Sequence, residues 1–375
     1  MSTFVRPKSL GMLVHDICSS MEAWAPLAWQ ESYDNSGLLT GNRSQKVTGV
    51  LVSFDCTEAV VEEAIAKGCN MIVAHHPILF KGIKQLTGRD YVERTLILAI
   101  KNDIALYASH TNLDHAPKGV SYQLAQKLEL QSGKVLRPMR DALRQLTYFV
   151  PEADAEKVRA ALHAVGAGNI GEYSACSFSG AGTGRFTPSD TANPTIGQVG
   201  KSEEVAELKV DMLYPKHLES AVLGTLFTSH PYEEVAYFVT SLGNSWQDVG
   251  AGFVGELPQA MSSSEFTSYV KEKLGLTYFR HTPWLGKSIK RIALCGGAGS
   301  FLLADAIHTQ ADVYISGDFK YHEFFDAENH LTICDIGHYE SEVMIKDTIH
   351  EYLSNNFSTF AVLKSMTHTN PVSLA

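Results

Sequence analysis

A short apolar run ending in two histidines and a proline constrains this chain more than any other stretch. Met71, Ile72, Val73 and Ala74 have the length and character of a buried strand, and Pro77 cannot continue its hydrogen-bond ladder. His75 and His76 therefore fall where strand gives way to loop, the position at which open α/β sheets hold ligands. Adjacent side chains leaving a strand end diverge, so neighbouring histidines suit two targets better than one, and two nearby metal ions would be such targets. Two ordinary surface or core histidines would look the same in isolation. The rest of the chain has to supply the missing ligands.

The 375 residues allow a large core and two or three domains, and 45% hydrophobic against 19% charged residues describe an ordinary globular chain. With 41 acidic and 31 basic residues, the net charge of -10 argues against a general affinity for nucleic acid or anionic membrane. No apolar run reaches the roughly 20 residues that span a bilayer. Asp16 interrupts the short apolar stretch near the start and no cleavage pattern follows, so a cytoplasmic protein is expected. Cys18, Cys56, Cys69, Cys176, Cys295 and Cys334 are scattered without a CxxC pair and read as buried thiols.

In chain order, Leu10, Leu13, Val14, Ile17 and Met21 share one face of a helix over residues 8–24. Residues 31–38 are a polar turn punctuated by Asp34, Asn35 and Gly37. A strand over 47–55, a helix capped by Thr57 and closed by Gly68, and the strand before His75 form a βαβ unit, so the sheet is at least partly parallel. A helix over 91–102 leads to a buried strand over 104–108, followed by His110 and Asp114. These two are four residues apart and would share a helical face, either as a ligand pair or as a capped helix start.

Between about residues 145 and 242 the texture changes. A strand at LTYFVP, a helix over 155–165, a Gly/Ser/Thr-rich region, a strand over 208–213, a helix over 218–227 and a strand over 235–240 predict an inserted ferredoxin-like α+β domain. The GxG stretches there read as loops, since no strand-to-helix context supports a phosphate cradle. The polar cluster His230 to Glu234 reads as a solvated turn before an edge strand, with a metal site as the lesser alternative. The expected division is 1–140 and 246–375 for the two parts of a larger α/β domain, with mixed, mostly parallel sheets and flanking helices, and 145–245 for the insertion.

Beyond residue 250, a helix over 264–274 precedes an apolar strand ending in CGGAGS, which either cradles an anion on backbone N–H groups before a helix over 301–309 or makes a tight packing turn. A further strand ends near Asp318, Lys320 and His322. The last strand-to-helix junction carries Asp335, His338, Glu340 and Glu342, with His338 and Glu342 at i and i+4. Metal-compatible side chains thus stand at four strand ends of an alternating β and α pattern, and convergence on one site explains them together. Imidazole mixed with carboxylate suits zinc, iron(II) or manganese better than calcium. Five or six ligands for two ions leave coordination positions open, the mark of a catalytic site.

The motifs YDNSGLL (33–39), AHHP (74–77), HTNLD (110–114), GAGFVGEL (250–257), CGGAGS (295–300), SGDFKYH (316–322) and GHYESE (337–342) resemble, in order and over nearly the whole chain, the Nif-three-like dinuclear-metal family, commonly labelled GTP cyclohydrolase 1 type 2 homologues. The middle region resembles the CutA-like insertion of its longer bacterial members. The resemblance implies metal ligands at His75, His76, Asp114, His338 and Glu342, with Glu342 bridging, and places His110 and His322 near the metals without an assured direct bond; either imidazole could shuttle a proton. It implies two divalent ions per chain, a homohexamer, and hydrolysis of a small-molecule substrate such as a nucleotide by a metal-bound hydroxide. A metal-delivery protein or a regulatory scaffold is the alternative. Ser32-Tyr33 stands where many members have a tryptophan and Ser316 where threonine is usual; neither is a proposed ligand.

Overall fold

The structure is a computed structural model describing residues 11–373. The chain divides into two compact units, one assembled from the segments up to Arg137 and from Val249 onward, the other Pro138–Asp248.

The first unit is built on two sheets. One runs Gly37–Thr40, Ala105–Ala108, Met71–Ala74, Val50–Ser53, Val362–Lys364, with the first pair antiparallel and the rest parallel. Every residue of its three central strands is buried, as expected when helices cover a parallel sheet. Helix Glu58–Ala66 starts at Thr57, whose hydroxyl caps the Val60 N–H, and helix Tyr91–Lys101 starts at Asp90, which caps the Glu93 N–H at 2.9 Å. Their apolar faces close over Leu51, Ile72 and Leu106 with Val60, Val61 and Leu96. Burying such side chains contributes about 1.5–3 kcal/mol each, which outweighs the shortness of the strands.

The second sheet is mixed: Arg280–His281, Thr332–Asp335, Val313–Gly317, Ile289–Ala298, Trp246–Met261, Gln131–Met139. Strands Thr332–Asp335, Val313–Gly317 and Ile289–Ala298 pair in parallel, and Ile289–Ala298 pairs antiparallel with Trp246–Met261. Helix Ser263–Leu274 has a Ser262/Glu265 capping box at its start and Gly275 in the left-handed conformation at its end, and buries Phe266 and Val270 against this sheet.

The other unit has the element order βαββαβ. Strands Leu143–Pro151, Phe178–Phe186, Glu203–Pro215 and Tyr237–Ser241 form an antiparallel sheet in which the third strand lies between the first and second, and the fourth flanks the first. Helices Ala155–Ala164 and Glu219–Ser229 bury Leu146, Tyr148 and Met212 on one face. On the opposite face lies a cavity of about 1120 Å³ bordered by Phe149, Gly182, Phe186, Glu207 and Tyr232.

Several sequence expectations need correcting. The first helix runs Val14–Trp24 rather than 8–24, because Leu13 is already extended and its N–H is held by Asp16; Leu10 lies outside the described residues. The glycine-rich FSGAGTGRF is a strand, not loops: nine consecutive residues pair with Glu203–Asp211, and this tertiary pairing overrides the low strand propensity of glycine. His230 is buried rather than solvated, with Nε2 on the Phe149 carbonyl at 2.8 Å and Nδ1 accepting from the Tyr232 N–H. Helix Val120–Lys127 and strand Gln131–Met139 went unread in the sequence. The cysteines are free thiols, all buried except the half-buried Cys176.

Candidate metal centre

The first sheet delivers its chemistry through register. Ser53 pairs with Ala74 and Ala74 with Ala108, so the chain segments carrying Asp55, His75, His76 and His110 leave adjacent parallel strands side by side. In the second sheet Ser316 pairs with Asp335, and just beyond those strand ends lie Asp318 and helix His338–Glu342. One turn of that helix sets His338 and Glu342 on a common face.

Glu342 is the centre of the arrangement. Its Oε2 lies 3.2 Å from His76 Nε2, 3.1 Å from His338 Nε2 and 3.7 Å from His75 Nε2. His76 and His338 bring their Nε2 atoms within 3.3 Å of each other, and Asp114 Oδ1 lies 3.7 Å from His75 Nε2. One donor atom each of His75, His76 and Glu342 falls within 4.8 Å of the others. His110 stands alongside, its ring 5.5 Å from that of His75 and 5.3 Å from that of His76.

Behind each imidazole sits an acceptor. His75 Nδ1 meets the Ser109 carbonyl at 2.8 Å, His76 Nδ1 meets Asp55 at 2.7 Å, His338 Nδ1 meets Asp318 at 2.8 Å and His110 Nδ1 meets Asp34 at 2.7 Å. A carbonyl only accepts, so His75 carries its proton on Nδ1 and turns the lone pair of Nε2 toward Glu342 and Asp114. Metal-binding histidines are held in this way. Asp34 also accepts from the Thr111 N–H at 3.0 Å and the Thr111 hydroxyl, which ties the 31–38 turn to the start of helix Thr111–Asp114.

Two buried atoms among the described residues test whether these side chains fit a cation. His75 Nε2 and Asp114 Oδ1 both lack a hydrogen-bond partner, and they face each other at a separation too long for a hydrogen bond. Leaving two such atoms unsatisfied costs roughly 1–3 kcal/mol apiece. A cation between lone pair and carboxylate would satisfy both, so the residues fit a metal.

The electrostatics show how the cluster balances its acidic charge. Burial pushes His75 down to about 3, so it stays neutral. Burial also opposes charge on His76, but Asp55 and Glu342 outweigh it and hold that imidazole up to about 10; Glu342 and Asp318 hold His338 up to about 9. Burial would raise Glu342, yet its three imidazole neighbours keep it well below the carboxylate range. Asp114, buried beside the Glu342 charge, is driven well above it. Without a cation the two imidazoles compensate the acidic charge; with one they would have to release their protons.

The glycines of CGGAGS resolve as a packing device. A Cβ on Gly297, whose φ is +63°, would fall 2.3 Å from Glu342 Oε1, and the Gly297 N–H is taken by the Ser341 hydroxyl at 2.9 Å. The segment is thus shaped to the close approach of the Glu342 carboxylate. The following helix is Leu303–His308, shorter than the expected 301–309 because Ser300–Leu302 winds as a tighter turn.

The structure thus gathers His75, His76, Asp114, His338 and Glu342, with His110 beside them. His322 is not part of this gathering: it is exposed in the turn Tyr321–Ala327, its ring against Tyr321 and Phe325. Asp55 escaped the sequence reading, and Asp34 was seen only as turn punctuation. Strand register holds the signal for Asp55, which stands two residues past Ser53 as His76 stands two past Ala74. Phe80 lies 6.1 Å from His110 and Tyr33 6.2 Å from Phe80, both largely exposed, beside a cleft of about 580 Å³ that Asp34, Leu79 and Phe80 help line.

The family profile for Duf34/NIF3 (NGG1p interacting factor 3) matches residues 12–371. The chain belongs to the Duf34/NIF3 family. Similar curated proteins include a GTP cyclohydrolase 1 type 2 homolog of Bacillus subtilis (strain 168), 39% identical over 360 residues covering 95% of this chain and 96% of that protein. A GTP cyclohydrolase 1 type 2 homolog of Halalkalibacterium halodurans is 36% identical, covering 93% and 95%. Among solved structures, a Bacillus cereus protein related to NIF3 superposes with a TM-score of 0.85 at 36% identity over 98% of this chain and 100% of its own. A Staphylococcus aureus protein superposes at 0.77 and 28% identity over 97% and 99%. For this NIF3-family chain the likeness extends over nearly the full length of both partners in each comparison. No helix among the described residues is long and apolar enough to cross a membrane.

Proposed function

We propose that His75, His76, Asp114, His338 and Glu342 hold two divalent ions, zinc, iron or manganese, with Glu342 bridging, and that the protein is a metal-dependent hydrolase of a small molecule. The observation that carries this is the pair of buried, unsatisfied atoms, His75 Nε2 and Asp114 Oδ1, facing each other beside a carboxylate oxygen common to three imidazoles. When bound, the ions would supply Lewis acidity, bringing the pKa of water toward about 7 and polarising an electrophilic carbon or phosphorus.

The chain's own residues do the rest. The Ser109 carbonyl, Asp55 and Asp318 fix the imidazoles in ring orientation and tautomer. His110, braced by Asp34 and with its ring 5.5 and 5.3 Å from those of His75 and His76, is the proposed proton carrier. His322 is a second proton carrier only as a relay to solvent, given its exposed position. Tyr33 and Phe80 offer a flat ring two aromatic surfaces at the rim. The name carried by the curated relatives makes GTP the first substrate to try, with C8 of the purine as electrophile. We further read the βαββαβ unit as an inserted ferredoxin-like, CutA-like domain, and the protein as a cytoplasmic homohexamer; the element and strand order support the first of these.

The test is turnover. Protein reconstituted with zinc, iron or manganese should hydrolyse a member of a panel of nucleotides and phosphoesters, and His76→Ala should abolish it. Activity that is nil across the panel, or that survives His76→Ala, moves the second reading forward. That reading is a regulatory or metal-holding scaffold, and the cavity of about 1120 Å³ in the βαββαβ unit favours it, being large enough for a small effector.

A further inference from the structure

After strand Val362–Lys364 the chain stays on the molecule and runs toward the metal centre. The Ser365 N–H bonds to the Val52 carbonyl at 2.8 Å, extending the edge pairing. Glu63 then gathers the next turn: it accepts from the Ser365 hydroxyl at 2.6 Å, the Met366 N–H at 2.9 Å, and the Thr367 hydroxyl and N–H at 2.7 and 3.2 Å. His368 lies against Tyr339 with ring centres 5.3 Å apart. Anchored in this way, the segment brings the Thr369 hydroxyl to Asp55 Oδ2, and the Asn370 amide to Glu340 Oε1 at 3.1 Å.

Asp55 is therefore held from both sides, His76 Nδ1 on one oxygen and Thr369 on the other. The terminal torsion of an aspartate is broad, and one hydrogen bond leaves the carboxylate free to rock about it. A second donor on the other oxygen fixes its plane. That plane sets the direction of His76, whose Nε2 lies 3.2 Å from Glu342.

We propose that Thr369 is a positioning residue of the metal centre: through Asp55 it fixes the orientation of His76, and residues 365–370, clamped by Glu63, form the outer wall of the site. The proposal rests on the metal-binding reading of that site.

The test compares Thr369→Val, which keeps the side chain's shape and removes its donor, with Thr369→Ser, which keeps the donor. Two measurements are made on the full chain: zinc affinity by competition with a chromophoric chelator, and the imidazole nitrogen resonances of the metal-free protein. Thr369→Val should remain folded, since the side chain is only half-buried, and bind zinc roughly tenfold more weakly, the low end of the range for outer partners of metal ligands. The His76 Nδ1 resonance should shift or broaden while that of His75, braced by the Ser109 carbonyl, holds still. Thr369→Ser should restore both. Thr369→Val with wild-type affinity and an unchanged His76 resonance overturns the proposal, as does a serine variant that restores neither. If the wild type itself takes up no zinc, the metal-binding reading fails, and the His76 resonance of the metal-free variants still decides whether Thr369 orients that ring. Thr369→Ala gives the same comparison if the valine variant does not fold.

Discussion

Asp55 Oδ1 and His76 Nδ1 lie 2.7 Å apart, joining the ends of two adjacent parallel strands beside the candidate metal site. Removing that acceptor frees the imidazole to rotate and lowers its basicity. Asp55→Ala is expected to weaken metal binding roughly 10–100-fold. Chelator competition measures this, and an affinity within a factor of two of wild type would count against any role for the contact.

Metal removal should cost stability by mass action. An ion held at 100 times its Kd adds about 2.7 kcal/mol to the folded state. Stripping the protein with a chelator should therefore lower its thermal midpoint, and adding back zinc or manganese should restore it, as calorimetry would report. A midpoint indifferent to both treatments would mean that the folded chain holds no ion.

Gly297→Ala puts a methyl group where Glu342 Oε1 now lies, 2.3 Å from the added carbon, at a φ of +63° that side chains disfavour by roughly 1–2 kcal/mol. Glu342 has to move, and with it the oxygen common to three imidazoles. The expected outcome is a folded protein of reduced metal content, read by elemental mass spectrometry on the purified variant. Full metal content would show that the carboxylate has room to spare.

Much of this arrangement was legible in the chain because imidazoles and carboxylates at strand ends announce themselves locally. An apolar run halted by Pro77 exposes His75 and His76, and an i,i+4 pair on an opening helix exposes His338 and Glu342. Asp55 was missed because its meaning comes from a neighbouring strand: only the pairing of Ser53 with Ala74 sets it beside His76. Thr369 was missed for the same reason, since its partner lies 314 residues away. The strand Phe178–Phe186 hid behind its glycines, whose intrinsic preference opposes what nine pairings with the adjacent strand impose. His322 shows what a motif leaves open: it stands close in sequence to Asp318, and only the fold of the turn Tyr321–Ala327 reveals that its side chain is exposed.

Glu63 gives a pH dependence of known sign. Burial would raise its pKa, but Lys67, the Met366 N–H and the hydroxyls of Ser365 and Thr367 outweigh that and hold it far below the usual 4.5. A carboxylate with a depressed folded value contributes stability in full above its unfolded pKa and loses it as pH falls toward the folded one. The 365–367 segment should therefore loosen progressively below about pH 4.5. Hydrogen exchange at the Met366 and Thr367 amides, compared with global opening, reads this directly. Glu63→Gln should loosen the same amides at neutral pH by about 1–3 kcal/mol and flatten their acid dependence. Acid-insensitive amides in the unsubstituted protein would contradict the clamp.

Anomalous diffraction from crystals grown with zinc or manganese, recorded at the metal's absorption edge, puts the whole proposal to trial at once. Two peaks per chain should appear astride the Glu342 carboxylate, within coordination distance of His75, His76, Asp114 and His338. A single peak, peaks elsewhere on the chain, or an empty cluster in metal-saturated crystals would contradict the dinuclear centre.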